Sequence, residues 1–115
     1  MDPTEAGKTA FICYRQLEEL LAVLDQSSVP GMGYSLDACA RAYNQVLSGL
    51  TECFSLDSAF AGRIGSLQPV SETEVTTETW QTLRTDGPFL RGTARAFIEL
   101  YLSADDKKKA VGFNA

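Results

Sequence analysis

Between residues 36 and 53 the apolar side chains Leu36, Cys39, Tyr43, Val46, Leu50 and Cys53 follow one another at intervals of 3, 4, 3, 4 and 3. A strand would need a period of two; this alternation is the seam of a helix that packs on other helices at a small angle. It therefore commits the chain to a helical core. Ala38, Cys39 and Ala42 keep the first half of the segment slim, so a neighbouring helix can approach closely there. Gly49 costs about 1 kcal/mol in helix propensity, which marks close packing or a bend at that point.

The segment from Thr4 to Gln26 carries a second stripe, Ala10, Cys13, Leu17, Leu20 and Leu24, widened by Tyr14 and Leu21. Asp2 and Thr4 are candidate caps, and Pro3 suits the first turn. The loop "SSVPGMGYS" separates the two helices, and Ser35 is placed to cap the second. Ser55 is placed to cap a shorter stripe of Leu56, Phe60, Ile64 and Leu67 that ends before Pro69. Residues 71–84 give mixed signals. Ser71 and Glu74 form a capping box, whereas five threonines between Thr73 and Thr82 favour a strand. A lone strand has nothing to pair with, so a helix is expected, with Trp80 and Leu83 facing the core. Asp86-Gly87-Pro88 reads as a turn, with Pro88 opening a last helix on which Leu90, Ala94, Phe97 and Tyr101 form the stripe. The expected fold is an all-α, antiparallel, four-helix-bundle-like single domain with short extra helical pieces, covering residues 1–103. Residues 104–115 are expected to be a partly frayed, charged C-terminal tail.

Composition excludes several kinds of chemistry. The chain has no histidine, which removes Ser-His-Asp and Cys-His catalysis and nearly all transition-metal enzyme sites. Gly7-Lys8-Thr9 imitates the end of a phosphate-binding loop. Asp2 stands where that loop needs its first glycine, however, and no strand precedes it. Gly31-Met32-Gly33 is half of a dinucleotide fingerprint, but Leu36 occupies the third glycine position. The three cysteines, Cys13, Cys39 and Cys53, are too far apart for a C-x-x-C motif and are odd in number. Each falls on an apolar stripe and reads as a small buried hydrophobe in a reducing compartment. Cys39 and Cys53 are about 21 Å apart along one helix at about 1.5 Å per residue, and in an antiparallel hairpin turning at residues 27–34 Cys13 and Cys53 are the pair expected to lie closer. With no apolar run of membrane-spanning length and no signal-peptide pattern, the expected location is cytoplasmic. No cofactor and no metal are expected, and the chain is not expected to be an enzyme.

Two surfaces remain as candidates. Arg84, Arg91 and Arg95, with Lys107, Lys108 and Lys109, are the only basic cluster in a chain of net charge −5. They could bind an anion or nucleic acid, although the net charge opposes the latter, and Glu99 is placed to pair with Arg95. Glu74 and Glu78, with Glu72 nearby, read as a solvated acidic face rather than a cation site. Phe11, Ile12 and Val23 lie off the first stripe, and Met32 and Tyr34 add apolar residues in the loop. Residues 1–80 carry net −7 and residues 81–115 net +2. Surplus apolar surface and opposite charge point to a protein-interaction module that forms a homodimer or docks on a partner, without a membrane. The anion- or nucleic-acid-binding accessory protein built on the arginines is the alternative.

Overall fold

The computed structural model describes residues 1–26 and 36–109 of the chain. Five helices follow in order: α1 (Pro3–Gln26), α2 (Leu36–Phe54), α3 (Ser58–Ile64), α4 (Thr77–Tyr101) and α5 (Ala104–Lys109). No strand occurs among the described residues. α1 is the central element and packs against both α2 and α4, which meet each other less extensively.

α1 begins as its sequence dictates. The Asp2 carboxylate accepts the Glu5 amide at 2.8 Å, Pro3 takes the first helical position, and the stripe from Ala10 to Leu24 is buried. Gly7, Lys8 and Thr9 lie within this helix. Gly7 has a packing role instead of a phosphate-binding one. A Cβ at that position would sit 2.7 Å from the Tyr101 carbonyl oxygen and 2.9 Å from the Leu102 nitrogen. The start of α1 thus crosses the end of α4 at backbone contact. Further along the same antiparallel seam, Tyr14 meets Arg95, Leu21 abuts Gly87 and Asp25 reaches Arg84. In each of these pairs the residue numbers add to nearly the same value, so the register holds over the whole length of both helices.

Two expectations about α4 are corrected. Asp86-Gly87-Pro88 is not a turn, because α4 runs through it without interruption from Thr77 to Tyr101. Local turn preference loses to tertiary packing. Gly87 is buried against Leu21, where a Cβ would fall 2.6 Å from Cδ2, and the flanking residues Leu83, Leu90, Ala94 and Phe97 are fully buried. Pro88 leaves the Arg84 carbonyl without its helical donor, but the ring lies on the exposed side of the helix. The two helices expected on either side of the turn are therefore one, and three long helices replace the expected four. Nor do residues 71–76 open a helix. Ser71 accepts the Glu74 amide at 3.0 Å, but only bends follow, and the cap of α4 is Thr76, in a reciprocal pair with Thr79. Inside α4 the hydroxyls of Thr82, Thr85 and Thr93 donate to carbonyls four residues back, a helical use of residues that favour strands. Leu83 is buried and Trp80 is half-buried against the core, as their expected direction requires.

The cap of α3 also differs from expectation. Asp57 accepts the Ala59 amide at 3.0 Å, while Ser55 donates back to the Glu52 carbonyl. The short helix is held by aromatic packing. Phe60 lies edge-on to Phe97 at 5.2 Å between ring centroids, and Phe54 packs at a tilt against Phe97 at 4.8 Å. Ser103 caps α5, which occupies the first part of the segment expected to be a frayed tail.

The seam predicts opposite outcomes at two glycines of similar helix propensity. Gly7→Ala forces backbone apart and should lower unfolding free energy by about 1–3 kcal/mol. Gly92→Ala, with nothing within 4 Å of the added carbon, should raise it by about 0.5–1 kcal/mol. Urea titrations followed by circular dichroism measure both. Equal effects would contradict the close crossing.

Candidate functional site

An apolar groove lies between α1 and α2. α2 returns antiparallel to α1, and a Cβ on Gly49 would lie 2.8 Å from the Cys13 sulfur. The residue thus marks close packing, one of the two roles expected of it. Towards the loop end the two helices line a cavity of about 410 Å³. Leu20, Cys39 and Val46 form its floor, while Val23, Ala38 and Ala42 line its walls. The slim half of α2 was expected to let a neighbouring helix approach closely. No described element covers it, because residues 77–101 form one helix on the other side of α1.

The expected interface residues divide accordingly. Val23 lines the groove, and Ile12, 59% exposed, lies on the same stripe of α1 as Gln16, Glu19 and Val23. Phe11, like Val23, is half-buried and packs against the core, but it is not part of the groove lining. Met32 and Tyr34 fall outside the described residues. Gln16, Ala38, Ala42 and Gln45 were not singled out as interface residues. The only signal for them was the small size of the alanines.

The arginine cluster is largely occupied by its own chain. Arg84 stacks on the Trp80 ring at 4.8 Å and approaches Asp25 at 3.9 Å. Arg95 pairs with Glu99 at 3.7 Å, as their spacing predicts, and donates to the Tyr14 hydroxyl at 3.3 Å. Arg91 lies between them on the α1–α4 seam, at the level where the register sets Glu18 on α1. The row is a cross-helix charge ladder, worth little in stability at this exposure. Glu74 and Glu78 are exposed beside a shallow cavity that Ser71, Thr76 and Thr82 also line. No grouping of three or more candidate metal ligands occurs among the described residues.

All three cysteines are buried, unpaired thiols. Burial pushes each thiol upward from its ordinary range, and Cys53 reaches about 11, raised further by Cys13 and Glu52 nearby. The influence of Cys13 on Cys53 agrees with their expected proximity, while Cys39 sits at the loop end of the hairpin in the groove floor. Tyr43 is wholly buried, and its hydroxyl is pushed up to about 12 by burial and by Asp86.

Two polar contacts escaped sequence reasoning. The Asn44 amide clamps Val70 by donating to its carbonyl at 2.7 Å and accepting from its N–H at 2.9 Å, which holds the segment before α4 onto α2. The Tyr101 hydroxyl donates to Asp57 at 2.5 Å and joins the end of α4 to the cap of α3. That hydrogen bond lowers the Asp57 pKa and raises that of Tyr101. Neither contact carries a sequence pattern, because each joins residues distant in the chain.

Two measurements follow. A depressed carboxylate contributes stability above its unfolded pKa, and that contribution disappears as pH falls through the lowered folded value; a raised tyrosine loses its contribution as pH climbs through its own. Tyr101→Phe should therefore melt lower than the parent at neutral pH, with the difference shrinking towards acid and towards alkali; a pH-independent difference would contradict the pairing. Thiol titration of the native protein at pH 7.5 should label all three cysteines slowly, with acceleration on denaturation. Rapid native labelling of one would instead indicate a reactive thiol. No known protein family, characterised protein or solved structure matches this chain.

Proposed function

We propose that the protein is a small, non-catalytic helical interaction module whose working surface is the α1–α2 groove. One observation carries the reading. An apolar groove of about 410 Å³, walled by small side chains on one helix and flanked by an Ile12 that is 59% exposed, is left uncovered by the rest of the described chain. Leaving such a surface in water is unfavourable, and covering it with another helix returns roughly 25 cal/mol per Å² of apolar area. The four-helix arrangement expected from the sequence would then be completed between chains rather than within one. Three buried, unpaired thiols favour a reducing compartment, so the module is assigned to the cytoplasm.

The alternative, an anion- or nucleic-acid-binding role for Arg84, Arg91 and Arg95, has less support. Two of the three guanidinium groups already serve intramolecular contacts.

Substitutions in the groove and in the arginine row separate the readings. Ile12→Glu and Ala38→Glu should each change unfolding free energy by no more than about 0.5 kcal/mol, yet weaken association at least about ten-fold, or about 1.4 kcal/mol. Arg91→Glu should leave association unchanged. Light scattering at increasing salt gives the readout. Association that depends on Arg91 and falls steeply with salt would favour the arginine-based role.

A further inference from the structure

We infer that the occupant of the α1–α2 groove is the same groove of a second copy, with the two-fold axis running parallel to the helices. The inference rests on the interaction reading above and identifies the partner.

The argument is one of charge and shape. On α1, Lys8, Ile12, Gln16, Glu19 and Val23 recur at intervals of 4, 4, 3 and 4 and make one stripe along the groove. On α2 the matching edge carries Arg41 and Glu52, with Ala38, Gln45 and Gly49 between and beside them. Cys13 against Gly49 fixes the antiparallel level of the two helices. That register sets Glu19 level with Arg41 and Lys8 level with Glu52. The four charges are exposed and stand at the four corners of the face with alternating sign. The ion pairs of Arg84 with Asp25 and of Arg95 with Glu99 use none of them.

Such a face is complementary to itself. Rotation by half a turn about an axis parallel to the helices brings α1 of each copy over α2 of the other. Glu19 then faces the second copy's Arg41, and Lys8 faces its Glu52. Shape favours the same arrangement, because the larger side chains lie on α1 and the small ones on α2. Ile12 comes level with the second copy's Gly49, Val23 with its Ala38 and Ala42, and Gln16 with its Gln45. The other two-fold choice, α1 upon α1, also pairs opposite charges, Glu19 with Lys8. It stacks large residues on large ones and small on small, and so leaves the groove poorly filled.

The interface is small. From the level of Lys8 to that of Val23 is about 22 Å at about 1.5 Å per residue, and two adjacent helices span about 20 Å. Roughly 1,000 Å² is then buried in total, near the lower limit for a specific complex, and the dimer is expected to dissociate in the micromolar range.

Sedimentation equilibrium of the full chain, from about 1 µM to about 0.5 mM, tests the inference around that range. The parent should move from one chain to two. Glu19→Arg and Arg41→Glu should each weaken the dimer about ten-fold or more. The double variant Glu19→Arg/Arg41→Glu should return to within about three-fold of the parent, because the swapped charges meet again across the axis. A double variant weaker than either single one would overturn the arrangement, since that is the result of α1 lying on α1 beside Lys8. A parent that stays monomeric at the highest concentration would overturn the dimer itself. The interaction reading fails by a different result: Ile12→Glu and Ala38→Glu unfolding the chain as core substitutions do, with circular dichroism as the readout.

Discussion

The backbone contact between Gly7 and the end of α4 is the constraint on which the remaining architecture turns. A side chain at Gly7 would meet the Tyr101 carbonyl and the Leu102 nitrogen within 3 Å, so the helices can cross there only without one. That crossing sets the level of α4 along α1, and the same level recurs at Tyr14 with Arg95, Leu21 with Gly87 and Asp25 with Arg84. A register maintained over so many residues needs α4 to be one long element. A helix ended at Gly87-Pro88 could satisfy half the seam and would leave Leu21 without its buried neighbour.

From that continuity the character of the surface follows. Because α4 spends its whole length on α1, nothing remains among the described residues to cover the opposite side of the α1–α2 hairpin. The arginines on the exposed edge of α4 are drawn into the seam, one to Asp25 and one to Tyr14 and Glu99. The apolar stripe of α1 and the small residues of α2 stay in the open. The same packing thus reduces the case for an anion site on α4 and strengthens the case for an interface on α1 and α2. α3 is secured independently, by the aromatic packing of Phe54 and Phe60 against Phe97 and by the Tyr101–Asp57 hydrogen bond.

The stripes of α1 and α2 were legible in the sequence because burial imposes a period that composition cannot hide. Asp2, Pro3 and Gly49 were legible for a related reason, since each does locally what its chemistry favours. Gly87-Pro88 was misread because the dipeptide signals a turn in isolation, and its use inside a helix depends on Leu21, 66 positions earlier in the chain. The threonines before and within α4 gave a strand signal that the lack of a pairing partner overrode, and Thr82 takes its helical role from the Glu78 carbonyl that only the formed helix presents. The Asn44 clamp on Val70 spans 26 residues and has no periodic signature. As for the groove, its apolar wall was visible at Ile12 and Val23. That it would stand open depended on the fate of residues 77–101, which the turn signal concealed.

The continuity of α4 is therefore the claim to test most directly, and a distance across it is decisive. Spin labels on cysteines introduced at Glu78 and Leu100, both exposed, would be read by double electron–electron resonance with Cys13, Cys39 and Cys53 replaced by alanine. Dilution with unlabelled chain removes distances between copies. One uninterrupted helix requires about 33 Å between the labelled backbone positions at about 1.5 Å per residue. A turn at residues 86–88 that folds the two halves against each other would bring them to roughly 10–15 Å, at the spacing of packed helices. The long distance is the predicted result. The short one would restore the four-helix bundle within a single chain, cover the groove and remove the basis for an interface there.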